Sequence, residues 1–224
     1  MRERSARDPA LTCNLSRPVR TPNQQHASIA AVTSALHPLQ VPPHAPGWNR
    51  AELFDLLGEA PRTAAAVLLG LRDLPHPSII FTVRHSGLRT HAGQVAFPGG
   101  RADPEDANAL ATALREAREE IGLDPRDAQP LGYLDCMETI SGYCVTPVVA
   151  RIASTAKLSP QSTEVESVFE MPLAFLLDPA NLRERDFVSR GRHRLVYEYA
   201  GTDPLIWGVT ALMLVNLMRR MDLM

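Results

Sequence analysis

Three glutamates crowd one short segment of this chain, "REAREEIGL". On a helix, Glu116 and Glu120 lie four residues apart and point to the same side, with Glu119 beside them. Like charges at this spacing destabilise an isolated helix by roughly 0.2–0.5 kcal/mol per pair. Arg115 can pair with Glu119, which leaves the other two without a helical cation. A hard divalent cation, Mg²⁺ or Mn²⁺, would relieve the repulsion, because these ions prefer carboxylate oxygens.

The turn before these glutamates favours a ligand site. In "FPGG", Gly99 and Gly100 allow the backbone to approach a ligand closely and to offer its amide or carbonyl groups. For the glutamates alone, the alternative is a solvated helix face on which Glu and Arg are simply good helix formers. The bend and the acids together predict a cradle for a metal ion and a diphosphate.

Capping residues predict that these acids share one helix over residues 104–121. Asp103 suits the N-cap, Pro104 suits the first helical position, and Gly122 suits the left-handed residue that ends a helix. The residues that would turn towards a core follow helical spacing: Leu110, Ala113, Leu114, Ala117 and Ile121.

Composition argues against two other classes of partner. A net charge of −2 predicts neither a nucleic-acid binder nor a polybasic membrane binder. No apolar run reaches the ~20 residues that span a bilayer. Cys13, Cys136 and Cys144 are odd in number and lack metal-ligand spacing, which predicts reduced thiols in a cytoplasmic protein. We therefore expect a small-molecule substrate, bound by a monomer or a homodimer.

The chain divides near residue 45. Residues 1–45 are rich in Pro, Ser, Thr, Gln and His, which predicts a flexible extension, with a transit peptide as the alternative. Residues 46–224 mix strand-like segments such as "PSIIFTVR" and "YCVTPVVARI" with helical ones, including the C-terminal "DPLIWGVTALMLVNLMRRM". The segment "AAAVLLGLR" fits either a strand or a helix. Mixed elements with short links predict one α/β or α+β domain.

The glutamate segment resembles the second half of the Nudix box, Arg-Glu-apolar-x-Glu-Glu-x-Gly-apolar. The first half departs from the general pattern, because Ala107 stands where a glutamate is usual, with Glu105 and Asp106 beside it. Upstream, "IIFTVRHSGLRTHAGQVAFPGG" resembles the signature of the coenzyme A pyrophosphatase subgroup, apart from His85, where a small residue is usual. The downstream segments "SGYCVTPVVA" and "STEVESVFEMPL" resemble the same subgroup. Over roughly Pro46 to Met218, the resemblance implies a Nudix-type α/β/α sandwich with a mixed sheet.

The resemblance also implies roles for the acids. Glu116 and Glu120 would bind Mg²⁺ or Mn²⁺, and Glu119 would bind a second ion or activate water. Arg115 would orient these carboxylates. Glu164, in "STEVESVF", would be a general base, with Glu166 as the neighbour that could take its place.

The segment upstream of the box would contact the substrate. Arginine can bind phosphate oxygens with two donors, and coenzyme A carries a 3′-phosphate besides its diphosphate. The expected contacts are Arg84, Arg89, His91, Gln94 and the backbone of Gly99 and Gly100.

The implied reaction is hydrolysis of coenzyme A to 4′-phosphopantetheine and adenosine 3′,5′-bisphosphate. Two rival functions stay open. One is a Nudix hydrolase of another nucleoside diphosphate derivative, such as ADP-ribose or a dinucleotide. The other is a catalytically silent nucleotide-binding module, against which the complete set of one arginine and three glutamates argues.

Overall fold

A computed structural model describes residues 27–88, 90–189 and 191–224. Its helices are α1 (Ile29–Ser34), α2 (Arg50–Leu57), α3 (Ala109–Ile121), α4 (Leu173–Leu176) and α5 (Gly208–Arg220). Its strands are β1 (Thr63–Arg72), β2 (Ser78–Arg84), β3 (Val95–Ala96), β4 (Gly99–Arg101), β5 (Ala128–Tyr133), β6 (Met137–Glu138), β7 (Tyr143–Ile152), β8 (Val165–Pro172), β9 (Leu182–Ser189) and β10 (Arg192–Tyr199).

Strands β1 to β8 form one mixed sheet around β1. The strand order is β3-β2-β1-β7-β5, while β4 pairs with β1, β6 with β7 and β8 with β2. Strands β1 and β7 run parallel over ten residue pairs, from Thr63 with Tyr143 to Arg72 with Ile152. The other pairings in this sheet are antiparallel. Strands β9 and β10 form a separate antiparallel hairpin. The predicted mixed sheet is therefore confirmed.

Helices cover both faces of the sheet. Successive residues of a strand point to opposite faces, so Leu68 packs in the cluster that contains α3, whereas Leu69 packs in the cluster that contains α5. A central strand that is buried on both faces carries a continuous apolar run rather than an alternating one. This explains why "AAAVLLGLR" had no clear period, and it settles the segment as strand β1. The layers are those of the expected α/β/α sandwich.

Helix α3 begins five residues later than predicted. Asn108, not Asp103, is the N-cap, and its side chain accepts a hydrogen bond from Ala111 N at 3.0 Å. Residues 103–106 instead form a turn, in which Asp106 N donates to Asp103 O at 3.0 Å. Gly122 ends the helix in the left-handed region with φ of 67°, as predicted.

Part of the expected flexible extension packs against the domain. Ser28 caps α1, and Val32 of this helix is completely buried in the core cluster that contains α5. Arg220 of α5 donates to Ala35 O at 2.6 Å, which fastens the end of α1. The expectation for residues 27–45 is corrected accordingly, because one apolar side chain and a cap gave too weak a sequence signal. Residues 1–26 lie outside the described part.

Cys136 and Cys144 are joined by a disulfide bond, which contradicts the expected reduced thiols. Antiparallel pairing of Met137 with Val145 brings the two cysteines together, with their Cα atoms 6.4 Å apart. The register of the two strands determines the contact between the cysteines, and the sequence spacing of the cysteines does not reveal that register. The bond removes the support that reduced thiols gave to a cytoplasmic location. Cys13 lies outside the described residues.

Helix α5 is the apolar C-terminal helix that the sequence predicted. It has 13 residues, and those that face the sheet are buried, including Leu214 and Met218. Among the helices of the described ranges, none is both long and apolar enough to cross a membrane.

Candidate active site

Two of the three crowded glutamates converge on Gly99 and Gly100, which begin strand β4 instead of forming the predicted turn. Glu120 Oε2 accepts a hydrogen bond from Gly99 N at 3.0 Å. The Glu116 carboxylate lies against Gly100 so closely that a Cβ at this position would be 2.5 Å from its Oε1. Only glycine, which has no side chain, leaves room for the carboxylate at this position. We call Gly99, Gly100, Glu116 and Glu120 the glutamate cradle.

Burial makes the cradle electrostatically unfavourable for anions. Burial is the largest cause that raises the pKa of Glu120, to about 7, and the charges of Glu116 and Glu164 raise it further. The Gly99 amide and the Arg84 guanidinium oppose the shift. Burial also raises the pKa of Glu116. A cation bound between these two carboxylates would favour their ionised forms, so this place is suited to a metal ion.

Arg115 holds the acids around the cradle. Its Nη1 is 3.0 Å from Glu116 Oε1 and 3.2 Å from Glu119 Oε2, so the predicted pairing with Glu119 forms. Its other donors reach Asp106, with Nε to Oδ1 at 3.1 Å and Nη2 to Oδ2 at 2.9 Å. Nη2 also donates to Arg101 O at 3.0 Å. One planar guanidinium thus connects α3, β4 and the turn before α3.

Asp106 is the residue of this network that sequence reasoning missed. We noted it only as a neighbour of the box position that Ala107 occupies. The two hydrogen bonds from Arg115 hold the pKa of the Asp106 carboxyl well below its usual range. The signal was the box glutamate missing at position 107, since an acid at 106 can take its place when the segment before Arg115 is one residue longer.

Glu164, in the loop before β8, faces Arg84 near the cradle. Its Oε2 is 3.4 Å from Arg84 Nη2, and both charges act on Glu120. Glu166 turns elsewhere, because its Oε2 accepts a hydrogen bond from Ser86 N at 3.2 Å. The fold therefore brings Glu164, rather than Glu166, towards the other acids, although the two are separated by one residue.

The remaining substrate candidates lie in the loop between β2 and β3. His91 Nδ1 and Gln94 Oε1 are 2.8 Å apart, and His91 has a positive φ of 57°. Gln94 O accepts a hydrogen bond from Arg84 N at 3.0 Å, which ties this loop to the end of β2. Arg89 lies outside the described residues.

The donors of the cradle fit a hard divalent cation by their chemistry. Glu116 and Glu120 offer carboxylate oxygens, and no ion pair to Glu120 occurs within the described ranges. In the same ranges, no three acidic, histidine or cysteine side chains already surround one point. The Glu119 side chain, whose carboxylate faces Arg115, is 57% exposed.

Known proteins match most of this chain. The profile of the NUDIX domain matches residues 60–191, more than half of the chain. A protein of Photorhabdus laumondii named "Uncharacterized Nudix hydrolase NudL" is 41% identical over 158 residues, which cover 70% of this chain and 84% of that protein. Its namesake in Escherichia coli K12 is 42% identical over 147 residues, or 66% of this chain and 77% of that protein.

Solved structures also match. The structure titled "Crystal structure of MutT/nudix family protein from Enterococcus faecalis" aligns with a TM-score of 0.45 and 14% identity, over 89% of this chain and 71% of that one. The profile match and the identity to the relatives, together with Arg115 and the three glutamates, lead to one conclusion: the chain belongs to the Nudix family and is a hydrolase that acts on pyrophosphate bonds.

Proposed function

We propose that the chain hydrolyses the diphosphate of coenzyme A or its acyl or oxidised derivatives. The products are 4′-phosphopantetheine, or its acyl form, and adenosine 3′,5′-bisphosphate. One observation carries the proposal beyond general Nudix chemistry. The segment that resembles the coenzyme A subgroup ends its strand at Arg84, and this side chain lies against Glu164 and acts on Glu120. This proximity supports a common site for the candidate substrate segment and the candidate metal acids.

Glu116 and Glu120 are the proposed ligands of Mg²⁺ or Mn²⁺, and Glu119 is the proposed ligand of a second ion or the group that activates water. When bound, such ions neutralise phosphate oxygens and make water more acidic. Since the pKa of both buried acids is raised, a cation would favour their ionised form and remove part of the cost of burial.

The protein groups have separate tasks in this proposal. Arg115 orients Glu116 and Glu119 through its two hydrogen bonds from Nη1. Gly99 and Gly100 are proposed to offer backbone groups to the diphosphate, and the absence of side chains lets Glu116 and the backbone of β1 approach them closely. Glu164 is the proposed general base, which takes a proton from the attacking water directly or through one further water.

Arginines of the β2–β3 segment are the proposed phosphate contacts. Arg84 Nε is buried without a hydrogen-bond partner among the described residues, and its Nη2 reaches Glu164 only at 3.4 Å. A guanidinium with unused donors at this place is suited to a phosphate oxygen. Arg89, His91 and Gln94 complete the proposed set, with His91 and Gln94 already joined to each other.

Product identification tests the proposal. The purified chain is incubated with coenzyme A and Mg²⁺ or Mn²⁺, and the products are identified by mass spectrometry. We expect 4′-phosphopantetheine and adenosine 3′,5′-bisphosphate, at a higher kcat/KM than for ADP-ribose or NADH under the same conditions. A preference for either of the latter would overturn the substrate assignment.

The variant Glu120→Gln tests the metal assignment separately. It keeps the shape of the side chain and its hydrogen bond from Gly99 N, but it lacks the charge that a cation needs. We expect it to bind coenzyme A and hardly turn it over. Unchanged turnover would reject Glu120 as a metal ligand.

A further inference from the structure

Two acids of the β8 segment contact neighbouring residues at the end of β2. Glu164 Oε2 lies 3.4 Å from Arg84 Nη2, and Glu166 Oε2 accepts a hydrogen bond from Ser86 N at 3.2 Å. Between them, Glu164 O accepts a hydrogen bond from His85 N at 2.7 Å. Both successive amides of the turn are thus bound by β8 and the loop before it.

A β-bulge explains why the two acids reach different partners. The register pairs Val83 with Ser167 but Arg84 with Val165, so Glu166 is one extra residue in β8. A bulge interrupts the alternation of side chains and changes the direction in which they point. Here it leaves Glu166 without a Cα partner on β2, and its carboxylate reaches an amide beyond the end of the ladder.

The turn that Glu166 contacts belongs to the loop with the substrate candidates. Leu88 N donates to His85 O at 3.2 Å, which closes a β-turn with Ser86 at its second position. At the base of the loop, Arg84 N donates to Gln94 O at 3.0 Å and Arg84 O accepts from Gly93 N at 3.1 Å. A shift of the turn would therefore move Arg84 relative to Glu164.

We propose that Glu166 is a positioning residue, which fixes the Ser86 turn so that Arg84 and Glu164 face each other beside the glutamate cradle. The inference rests on the proposed function insofar as Glu164 is the base and Arg84 a phosphate contact. In this arrangement Glu166 acts through the Ser86 amide, which its Oε2 binds, and not through the substrate.

Two substitutions at one position separate this role from that of a base. Glu166→Gln keeps an oxygen that can accept the Ser86 amide but cannot take a proton, whereas Glu166→Ala loses the acceptor. We expect Glu166→Ala to lower kcat/KM by about fivefold, mainly through KM, which corresponds to about 1 kcal/mol. Glu166→Gln stays within about twofold of the original chain, while Glu164→Gln loses about 100-fold in kcat.

The Ser86 amide, which donates the hydrogen bond to Glu166, gives an independent test. Ser86→Pro removes the amide proton, and proline is favoured at the second position of a β-turn. We expect it to match Glu166→Ala, with no further loss when both changes are combined. Ser86→Ala keeps the amide and serves as the control, with unchanged kinetics.

Three results would overturn the inference. If Glu166→Gln is as inactive as Glu164→Gln, Glu166 is itself the base. If Glu166→Ala has the original kinetics, the contact positions nothing. If the losses of Ser86→Pro and Glu166→Ala add in the double variant, they do not share one contact. Coenzyme A is the substrate, and ADP-ribose replaces it if coenzyme A is not cleaved, so a wrong substrate assignment leaves this test intact.

Discussion

Replacing Gly100 by alanine tests whether the position of the Glu116 carboxylate controls activity. The new Cβ would be 2.5 Å from Oε1, 2.7 Å from the carboxyl carbon and 2.9 Å from Oε2 of Glu116. An ordinary contact begins near 3.4 Å, so the carboxylate must move by roughly 1 Å. A displacement of this size at a catalytic group costs on the order of 100-fold in rate. We therefore expect Gly100→Ala to lower kcat by about that factor.

The fold itself should tolerate this change. The three atoms nearest to the Cβ belong to the end of a flexible side chain, so the free energy of unfolding should change by less than about 1 kcal/mol. Gly99→Ala is the contrasting variant, because its Cβ would be 2.4 Å from Ala66 O and 2.6 Å from Val67 Cα, which belong to the backbone of β1. Since backbone cannot move aside, we expect Gly99→Ala to cost about 1–3 kcal/mol or more and to lower Tm by several degrees.

The assay combines steady-state diphosphate hydrolysis with thermal unfolding, in single and double variants. In a Glu116→Ala background, Gly100→Ala should cause almost no further loss, because its effect acts through the missing carboxylate. Full activity of Gly100→Ala would refute the reasoning, as would the same loss with and without Glu116. A large fall in Tm for Gly100→Ala would show that the backbone, and not the side chain, bears the contact.

Three further predictions concern Glu120 and Arg115 of the site and the buried Glu138 of strand β6. The pKa of Glu120 is about 7 in the folded chain and near 4.5 in the unfolded chain, so its contribution to stability is complete below pH 4.5 and is lost as the pH rises through 7. In urea unfolding without divalent ions, Glu120→Gln should therefore be more stable than the original chain by up to about 3 kcal/mol at pH 8. At pH 4 this difference should be absent. Arg115→Ala should lower kcat by about 100-fold, because Asp106 and Glu116 lose their shared donor, whereas a loss confined to KM would contradict an orienting role. Glu138→Ala should cost about 3–5 kcal/mol in urea unfolding, since its fully buried carboxylate pairs with Arg62 at 2.9 Å; a cost below about 1 kcal/mol would contradict this.

Local chemistry made part of this protein predictable. Like charges at helical spacing after two glycines pointed to a cation site, and the structure brings Glu116 and Glu120 to these glycines. The spacing of Arg115 and Glu119 predicted their contact for the same reason, since four residues make one turn of a helix. The family followed from the box, whose residues are consecutive. In these cases the residues lie in one contiguous segment of the sequence, although the contact between Gly99 and Glu120 spans 21 residues.

Tertiary structure decided what separated segments do together. Glu164 and Glu166 are equivalent acids in the sequence, and only the bulge opposite Arg84 directs one to the site and the other to Ser86. Strand pairing likewise joined Cys136 to Cys144, against our expectation. Composition set the boundary at residue 45 too late, because it does not report that a single buried Val32 docks a helix. Contacts of this kind depend on register and packing between distant segments. A one-residue shift of a strand would turn its side chains to the opposite face of the sheet and break these contacts.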